Sequence, residues 1–282
     1  MISNYKRYFA FGCSYVNYGW GTLPDLIAAN FEKYYNFGQG GASNTLILSR
    51  LIEANDTFQF NPETDFITVG ITGFGRFSIL DRDYPRSWIT SGDTIPNDPT
   101  VDIEDHQPEH DWRAKLFAKE LDSYAWCVQR SHDAVQSIRH ILQNTKVNYC
   151  MYPSIDNLLF TYSFDTKKTY KNYFNLTPFY QEMAQKIHNL YDVKESLDEF
   201  VRINKLLKGV KYDNGEFNGH PSPLCHYLYL QKHFPLFNTE KALQRFNFLE
   251  QIFCKESHSE QVDQFTKKFS LIYRDKNINS YY

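Results

Sequence analysis

Phe9-Ala10-Phe11-Gly12-Cys13-Ser14-Tyr15 is the stretch that decides the fold of this 282-residue chain. Its apolar start is typical of a buried β-strand, and the small residue and serine that follow predict a turn at the end of that strand. In an open parallel sheet, ligands bind beyond the carboxyl ends of the strands, often near a helix N-terminus. We therefore expect Ser14 to lie at the edge of the sheet where function is found.

The first half of the chain alternates short apolar strands with helix-like segments, which predicts an α/β fold with a mostly parallel sheet. The spacing of apolar residues predicts strands over 8–11, 34–37, 65–71 and 147–151. It predicts helices over 23–29, 43–52 with Ser43 as the N-cap, 112–143, 196–207 and 224–234. Residues 72–111 and 154–190 lack a clear period and are long for connections, so they are interpreted as two irregular insertions. We expect an α/β domain over 1–235 and a helical C-terminal extension over 236–282, which packs on the core or on a partner, either another protein or a second copy of the chain.

Charge and composition narrow the classes of function. A net charge of −3 gives no electrostatic reason to expect nucleic acid or an anionic membrane as a partner. No apolar run reaches transmembrane length, and the first residues lack the pattern of a signal peptide. The five cysteines have no CxxC spacing, so buried, reduced thiols are favoured over disulfides, a zinc site or a thiol enzyme.

A histidine in a loop some two hundred residues later complements Ser14. His220-Pro221-Ser222-Pro223 precedes a helix-like segment, and the turn carries an imidazole that the fold can bring back to the serine. A serine hydroxyl becomes a useful nucleophile when an imidazole accepts its proton. The two residues together indicate a serine hydrolase. Taken alone, His220 before a proline could equally be a structural residue of a turn.

Four segments resemble the conserved blocks of the SGNH (GDSL-type) hydrolases. Gly12-Cys13-Ser14-Tyr15 resembles the first block, in the GCS-aromatic variant of bacterial and phage members, and Asn36-Phe37-Gly38-Gln39-Gly40-Gly41-Ala42-Ser43-Asn44 resembles the second. Val69-Gly70-Ile71-Thr72 stands where the third block is expected, and Asn218-Gly219-His220-Pro221 resembles the last. The resemblance covers residues 5–75 and 208–234, and it implies a three-layer α/β/α sandwich with a flavodoxin-like sheet.

The resemblance also implies roles for individual residues. Ser14 is expected to be the nucleophile, His220 the general base, and Asn218 the residue that orients His220. The backbone N–H groups of Ser14 and Gly41 and the side chain of Thr72 are expected to bind the oxyanion. The implied reaction is hydrolysis of a carboxylic ester, such as an O-acetyl group on a carbohydrate, with no cofactor and no metal.

Two positions depart from the family pattern. Thr72 replaces an asparagine, and Asn218 replaces the acidic residue that supports the histidine. An asparagine side chain carries no negative charge with which to stabilise an imidazolium. Asp213 or Glu216 supplies that charge if the loop folds back. The departures keep open a second class, a non-catalytic binding or structural module such as a phage virion component. For either class we expect a cytoplasmic or virion-associated location, since the sequence shows no signal peptide or transmembrane run.

Other polar residues have two interpretations each. Asn44 either contacts the substrate or satisfies the amides at the start of a helix, and Arg76 either binds an anionic or sugar substrate or is a solvated arginine. His226 is interpreted as a structural or surface histidine, and Cys13 as a buried thiol. The acidic, histidine-containing stretch 102–111 is interpreted as a solvated loop rather than a metal site.

Overall fold

The computed structural model describes residues 5–74, 76, 78–80, 88–90, 124–155, 177–206 and 220–255. The strands are β1 (Arg7–Phe11), β2 (Lys33–Asn36), β3 (Asp65–Ile71), β4 (Ser78–Leu80), β5 (Trp88–Thr90) and β6 (Asn148–Pro153). The helices are α1 (Leu23–Ala28), α2 (Asn44–Phe58), α3 (Tyr124–Thr145), α4 (Thr177–Asn189), α5 (Leu197–Ile203), α6 (Pro223–His233) and α7 (Glu240–Lys255), with a 3₁₀ turn over Pro235–Phe237.

The central sheet has the strand order β2-β1-β3-β6 within the described residues, and all its neighbouring strands are parallel. The predicted α/β fold with a mostly parallel sheet is therefore confirmed. The chain passes from β1 outward to β2 and then crosses to the other side of β1 to form β3. Such a reversal of direction opens a crevice at the carboxyl ends of β1 and β3, which is where open α/β sheets bind ligands.

Helices cover both faces of this sheet, because side chains of β1 alternate between two apolar layers. Phe9 stacks on Tyr35 with ring centroids 4.9 Å apart and meets Phe58 of α2 edge-on. Tyr8 faces the opposite layer, where it stacks on Tyr34. Helices α2, α3 and α4 contact one another in sequence, and α1, α6 and α7 form a second group of mutual contacts. The result is a three-layer sandwich.

An ion pair closes the amino end of the sheet. Arg7 donates two hydrogen bonds to the carboxylate of Asp65, with Nε at 2.7 Å from Oδ1 and one terminal nitrogen at 2.6 Å from Oδ2. Asp65 is fully buried, and its hydrogen bond raises the pKa of Arg7. Because β1 and β3 are pinned in register at this end, their opposite ends are placed side by side.

Several predicted boundaries differ from the structure. Residues 177–189, which sequence analysis assigned to an irregular insertion, form α4, because Met183, Ala184 and Ile187 place a buried stripe against α3. The insertion predicted over 72–111 contains the antiparallel pair β4 and β5. The fourth strand of the predicted set extends to Pro153 rather than ending at 151.

The C-terminal extension is described as far as residue 255. Helix α7 contacts α1 and α6, and its Leu249 is buried against Gly21, where an added Cβ would lie 2.4 Å from a methyl carbon of that leucine. This part of the extension therefore packs on the core, and contact with another chain stays a prediction, as does the domain division at 235. No helix among the described residues is both long and apolar enough to cross a membrane.

Candidate active site

Ser14 lies in a tight turn directly after β1, at the carboxyl edge of the sheet. The carbonyl oxygen of Cys13 accepts hydrogen bonds from the N–H groups of Val16 and Asn17, which closes the turn. Gly12 permits this close fold, since a Cβ at that position would lie 2.4 Å from Cγ2 of Val16 and 3.0 Å from the carbonyl oxygen of Gly70. The turn is thus packed against β3, and the Ser14 side chain retains 6% exposure.

His220 is held next to Ser14 by the loop that leads into α6. Its Nε2 lies 2.7 Å from Oγ of Ser14, across 206 residues of sequence. The indole N–H of Trp20 donates a 2.7 Å hydrogen bond to the carbonyl oxygen of Pro221, and Ser222 caps α6 by accepting from the N–H of Cys225. The loop is therefore fixed on one side by the turn after Ser14 and on the other by a helix start.

Two aromatic rings lie close to the His220 imidazole. Tyr18 stacks on it with ring centroids 3.8 Å apart and planes inclined by 16°. Tyr15 lies at 5.5 Å with its plane tilted by 50°. His226, in the first turn of α6, is 1% exposed, and burial, followed by the charge of His220, lowers its pKa to about 3. His226 is therefore neutral at ordinary pH.

The loop after β2 lies beside the Ser14 turn. The N–H of Gln39 donates to the carbonyl oxygen of Gly12, and the side-chain amide of Asn17 donates to the carbonyl oxygen of Gly38. Gly41 has a φ of 70°, a left-handed conformation that glycine adopts without strain. Within the described part of the chain, the N–H groups of Ser14 and Gly41 donate no hydrogen bond. The oxyanion role expected of these two amides stays a prediction.

Asn44 and Thr72 form a buried clamp between α2 and the end of β3. The Asn44 side chain accepts from the N–H of Thr72 at 3.0 Å and donates to the carbonyl oxygen of Thr72 at 3.3 Å. Both residues are 0% exposed. The Asn44 side chain thus bonds to the backbone of Thr72 and not to the amides at the start of α2, and its contact with a substrate stays a prediction.

The remaining predicted site residues lie at or beyond the border of the described residues. Arg76 is partly buried in the turn after β3, where its N–H donates to the carbonyl oxygen of Gly73, and its contact with a substrate stays a prediction. Asn218, Asp213, Glu216 and the stretch 102–111 fall outside the described residues. Among the residues that the structure does describe, no three His, Cys, Asp or Glu side chains form a group that could hold a metal ion.

Sequence reasoning missed Tyr18 and Trp20, which contact the His220 loop directly. A signal for them exists in the sequence, since Tyr15, Tyr18 and Trp20 follow the serine within six positions. The pairing with His220 itself depends on tertiary contacts and has no local pattern.

Comparisons with known proteins give a distant structural likeness. No protein-family model matches the chain, and no curated protein matches it significantly. The crystal structure of a GDSL-like lipase from Bacteroides thetaiotaomicron is similar over 92% of this chain and 88% of that chain, with 12% sequence identity and a TM-score of 0.32. At that level the likeness carries no argument about chemistry, which rests on the side chains described above.

Proposed function

We propose that this protein is a serine hydrolase of the SGNH type that cleaves a carboxylic ester, such as an O-acetyl group on a carbohydrate. The observation that carries the proposal is the 2.7 Å contact between Nε2 of His220 and Oγ of Ser14 at the carboxyl edge of a parallel sheet. That distance is a normal hydrogen bond between a hydroxyl and an imidazole. The sequence blocks that resemble the SGNH family supply both residues.

In the proposed first step, Ser14 attacks the carbonyl carbon of the ester. The hydroxyl proton moves to Nε2 of His220 as the new C–O bond forms, and the carbonyl π electrons move to its oxygen. In this proposal the N–H groups of Ser14 and Gly41 donate to the resulting oxyanion, and loss of one such donor costs about 3–4 kcal/mol of transition-state stabilisation in comparable enzymes. His220 then returns its proton to the leaving alcohol oxygen, which leaves an acyl group on Ser14.

The second step reverses these roles with water. Neutral His220 removes a proton from a water molecule, and the oxygen of that water attacks the acyl carbon. Collapse of the second tetrahedral species expels Oγ of Ser14, which takes the proton back from His220. The products are a carboxylic acid and the regenerated enzyme. His220 must be neutral at the start of each step, so activity is expected to fall as the pH is lowered.

Labelling with a fluorophosphonate probe tests the proposal without knowledge of the substrate, because the probe requires an activated serine. We expect labelling of the wild type, and labelling at background level for Ser14→Ala and His220→Gln. Ser137→Ala, on the exposed face of α3, is the matched serine control and should label like the wild type. Turnover of p-nitrophenyl acetate by the same four proteins gives the second measurement. Equal background rates for wild type and Ser14→Ala in both assays would rule out the proposal.

A second candidate is a non-catalytic binding or structural module with the same fold. The full burial of Thr72 favours it, since a hydroxyl that replaces an oxyanion-binding amide has to reach the substrate. The neutral Asn218 favours it too, because substitution of the triad carboxylate by asparagine lowers kcat roughly 10⁴-fold in a serine protease. The labelling assay separates the candidates, since a binding module leaves Ser14 unlabelled while the protein stays folded.

A further inference from the structure

We propose that Tyr18 is a positioning residue that holds the His220 ring towards Ser14 and stabilises that ring in its protonated form through the stacked aromatic face. This inference deepens the proposed function and rests on it for its catalytic meaning. The structural part concerns two side chains that belong to different ends of the sequence and meet face to face.

The geometry of the pair is that of a cation and an aromatic face. The ring centroids of Tyr18 and His220 are 3.8 Å apart, and the planes are nearly parallel at 16°. A cation within about 6 Å of an aromatic centroid, over its face, is attracted by the negative charge of the π system. Tyr15 also lies near the imidazole, at 5.5 Å, but its ring is tilted by 50° and overlaps less. Tyr18 therefore presents the better face to a charge on His220.

Tyr18 is itself held in place. Its ring meets Trp20 edge-on, with centroids 4.6 Å apart and planes at 74°. Trp20 donates through its indole N–H to the carbonyl oxygen of Pro221, the residue next to His220. The contacts Tyr18–Trp20, Trp20–Pro221 and Tyr18–His220 thus form a closed set that joins the two loops. A ring fixed on two sides loses little freedom when its neighbour becomes charged.

The other groups near His220 leave the aromatic face of Tyr18 as a main influence on a positive charge of the imidazole. Among the described residues, Ser14, Tyr15 and Tyr18 contact it from the turn after β1, and the charge of His220 also acts on His226 of α6. Burial lowers the pKa of His226 to about 3, so this second imidazole adds no repulsive charge when His220 takes the proton of Ser14. Between pH 5 and 9, a titration seen at His220 therefore does not overlap with one at His226.

The test is an NMR titration of the His220 ring in ¹⁵N-labelled protein, assigned by loss of its signals in His220→Gln. The variants are Tyr18→Leu, which removes the aromatic face and keeps an apolar neighbour, and Tyr18→Phe, which keeps the face and removes the hydroxyl. We expect Tyr18→Leu to lower the midpoint by about 0.5–1 pH unit, a roughly 3- to 10-fold weaker proton affinity. Tyr18→Phe is expected to titrate like the wild type. Tyr149→Leu, on β6, is the matched control and should leave the midpoint unchanged.

Labelling by the fluorophosphonate probe gives the catalytic arm. We expect the rate to fall about 3- to 10-fold in Tyr18→Leu at pH values where His220 is neutral, and to return in Tyr18→Phe. If Tyr18→Leu does not fold, Tyr18→Met, a flexible apolar side chain without a ring, takes its place. An unchanged midpoint in a folded Leu or Met variant, or an equal shift in Tyr149→Leu, overturns the inference. A shifted midpoint in a protein whose wild type never labels supports the contact between Tyr18 and His220 and rejects the hydrolase instead.

Discussion

Replacement of Trp20 by phenylalanine removes one hydrogen bond that joins the two halves of the candidate site. The indole N–H lies 2.7 Å from the carbonyl oxygen of Pro221, Trp20 is 4% exposed, and Pro221 is buried. A phenyl ring retains part of the contacts with Tyr18 and Phe253 but leaves that carbonyl without this donor. A buried acceptor left unsatisfied costs about 1–3 kcal/mol, so we expect the free energy of unfolding to fall by that amount.

Trp20→Phe is also expected to lower the activity of the molecules that remain folded. Pro221 is adjacent to His220, so a loosened loop displaces the imidazole from Oγ of Ser14. A misplacement of about 1 Å costs on the order of 10²-fold in rate, and we expect kcat/KM for an activated ester to fall roughly 10- to 100-fold. KM should change little, because Trp20 hydrogen-bonds to the protein backbone and its effect on substrate is indirect.

Urea unfolding and ester turnover, both measured for Trp20→Phe and Tyr229→Phe, separate the two effects. Tyr229 donates a 2.6 Å hydrogen bond from its hydroxyl to the carbonyl oxygen of Glu195, which does not belong to the His220 loop. Its loss should destabilise the fold by a similar amount and leave turnover per folded molecule unchanged. If Trp20→Phe unfolds at the wild-type urea concentration and turns over ester at the wild-type rate, the reasoning about the loop is refuted.

Two further predictions concern buried groups near the site. Asn44→Ala removes both hydrogen bonds to the backbone of Thr72 and should lower the free energy of unfolding by about 2–4 kcal/mol in urea, and an unchanged midpoint would contradict the clamp. His226 has a folded-state pKa of about 3, below the unfolded value near 6.5. As the pH falls, the unfolded state therefore binds a proton that the folded state does not. The free energy of unfolding is expected to fall by roughly 1.4 kcal/mol per pH unit between about pH 6 and 3. His226→Gln removes this contribution, and urea unfolding at pH 7, 5 and 4 should then show a shallower loss than the wild type shows.

The elements that sequence patterns predicted well are those whose signal is local. The third strand, Asp65–Ile71, is rich in apolar residues and buried throughout, and Ser43 caps its helix as expected by accepting from the N–H of Leu46 at 3.3 Å. Alternation of strands and helices was enough to predict the parallel sheet. Helix α4 was missed because it lies in a segment rich in asparagine and tyrosine, where the buried Met183, Ala184 and Ile187 give a weak period.

The sequence predicts the roles of some residues of the candidate site and not of others. Ser14 follows from the strand that precedes it, whereas its pairing with His220 came from the resemblance of four blocks, since no spacing rule joins residues 206 positions apart. For Asn44, the sequence left two interpretations, and only the backbone of Thr72 at the end of β3 shows what its amide bonds to. Tyr18 could not be assigned from the sequence, because stacking depends on where a distant loop returns.

The long sequence separation between Ser14 and His220 has a consequence for the chain during its synthesis and folding. A ribosome-bound chain that has released only its first two hundred residues contains Ser14 but lacks His220, the proposed base. Closing so large a loop is entropically unfavourable and comes late, after the sheet that brings the loops together has formed. The hydroxyl thus remains an ordinary alcohol during synthesis, and reactivity is acquired together with the finished tertiary structure.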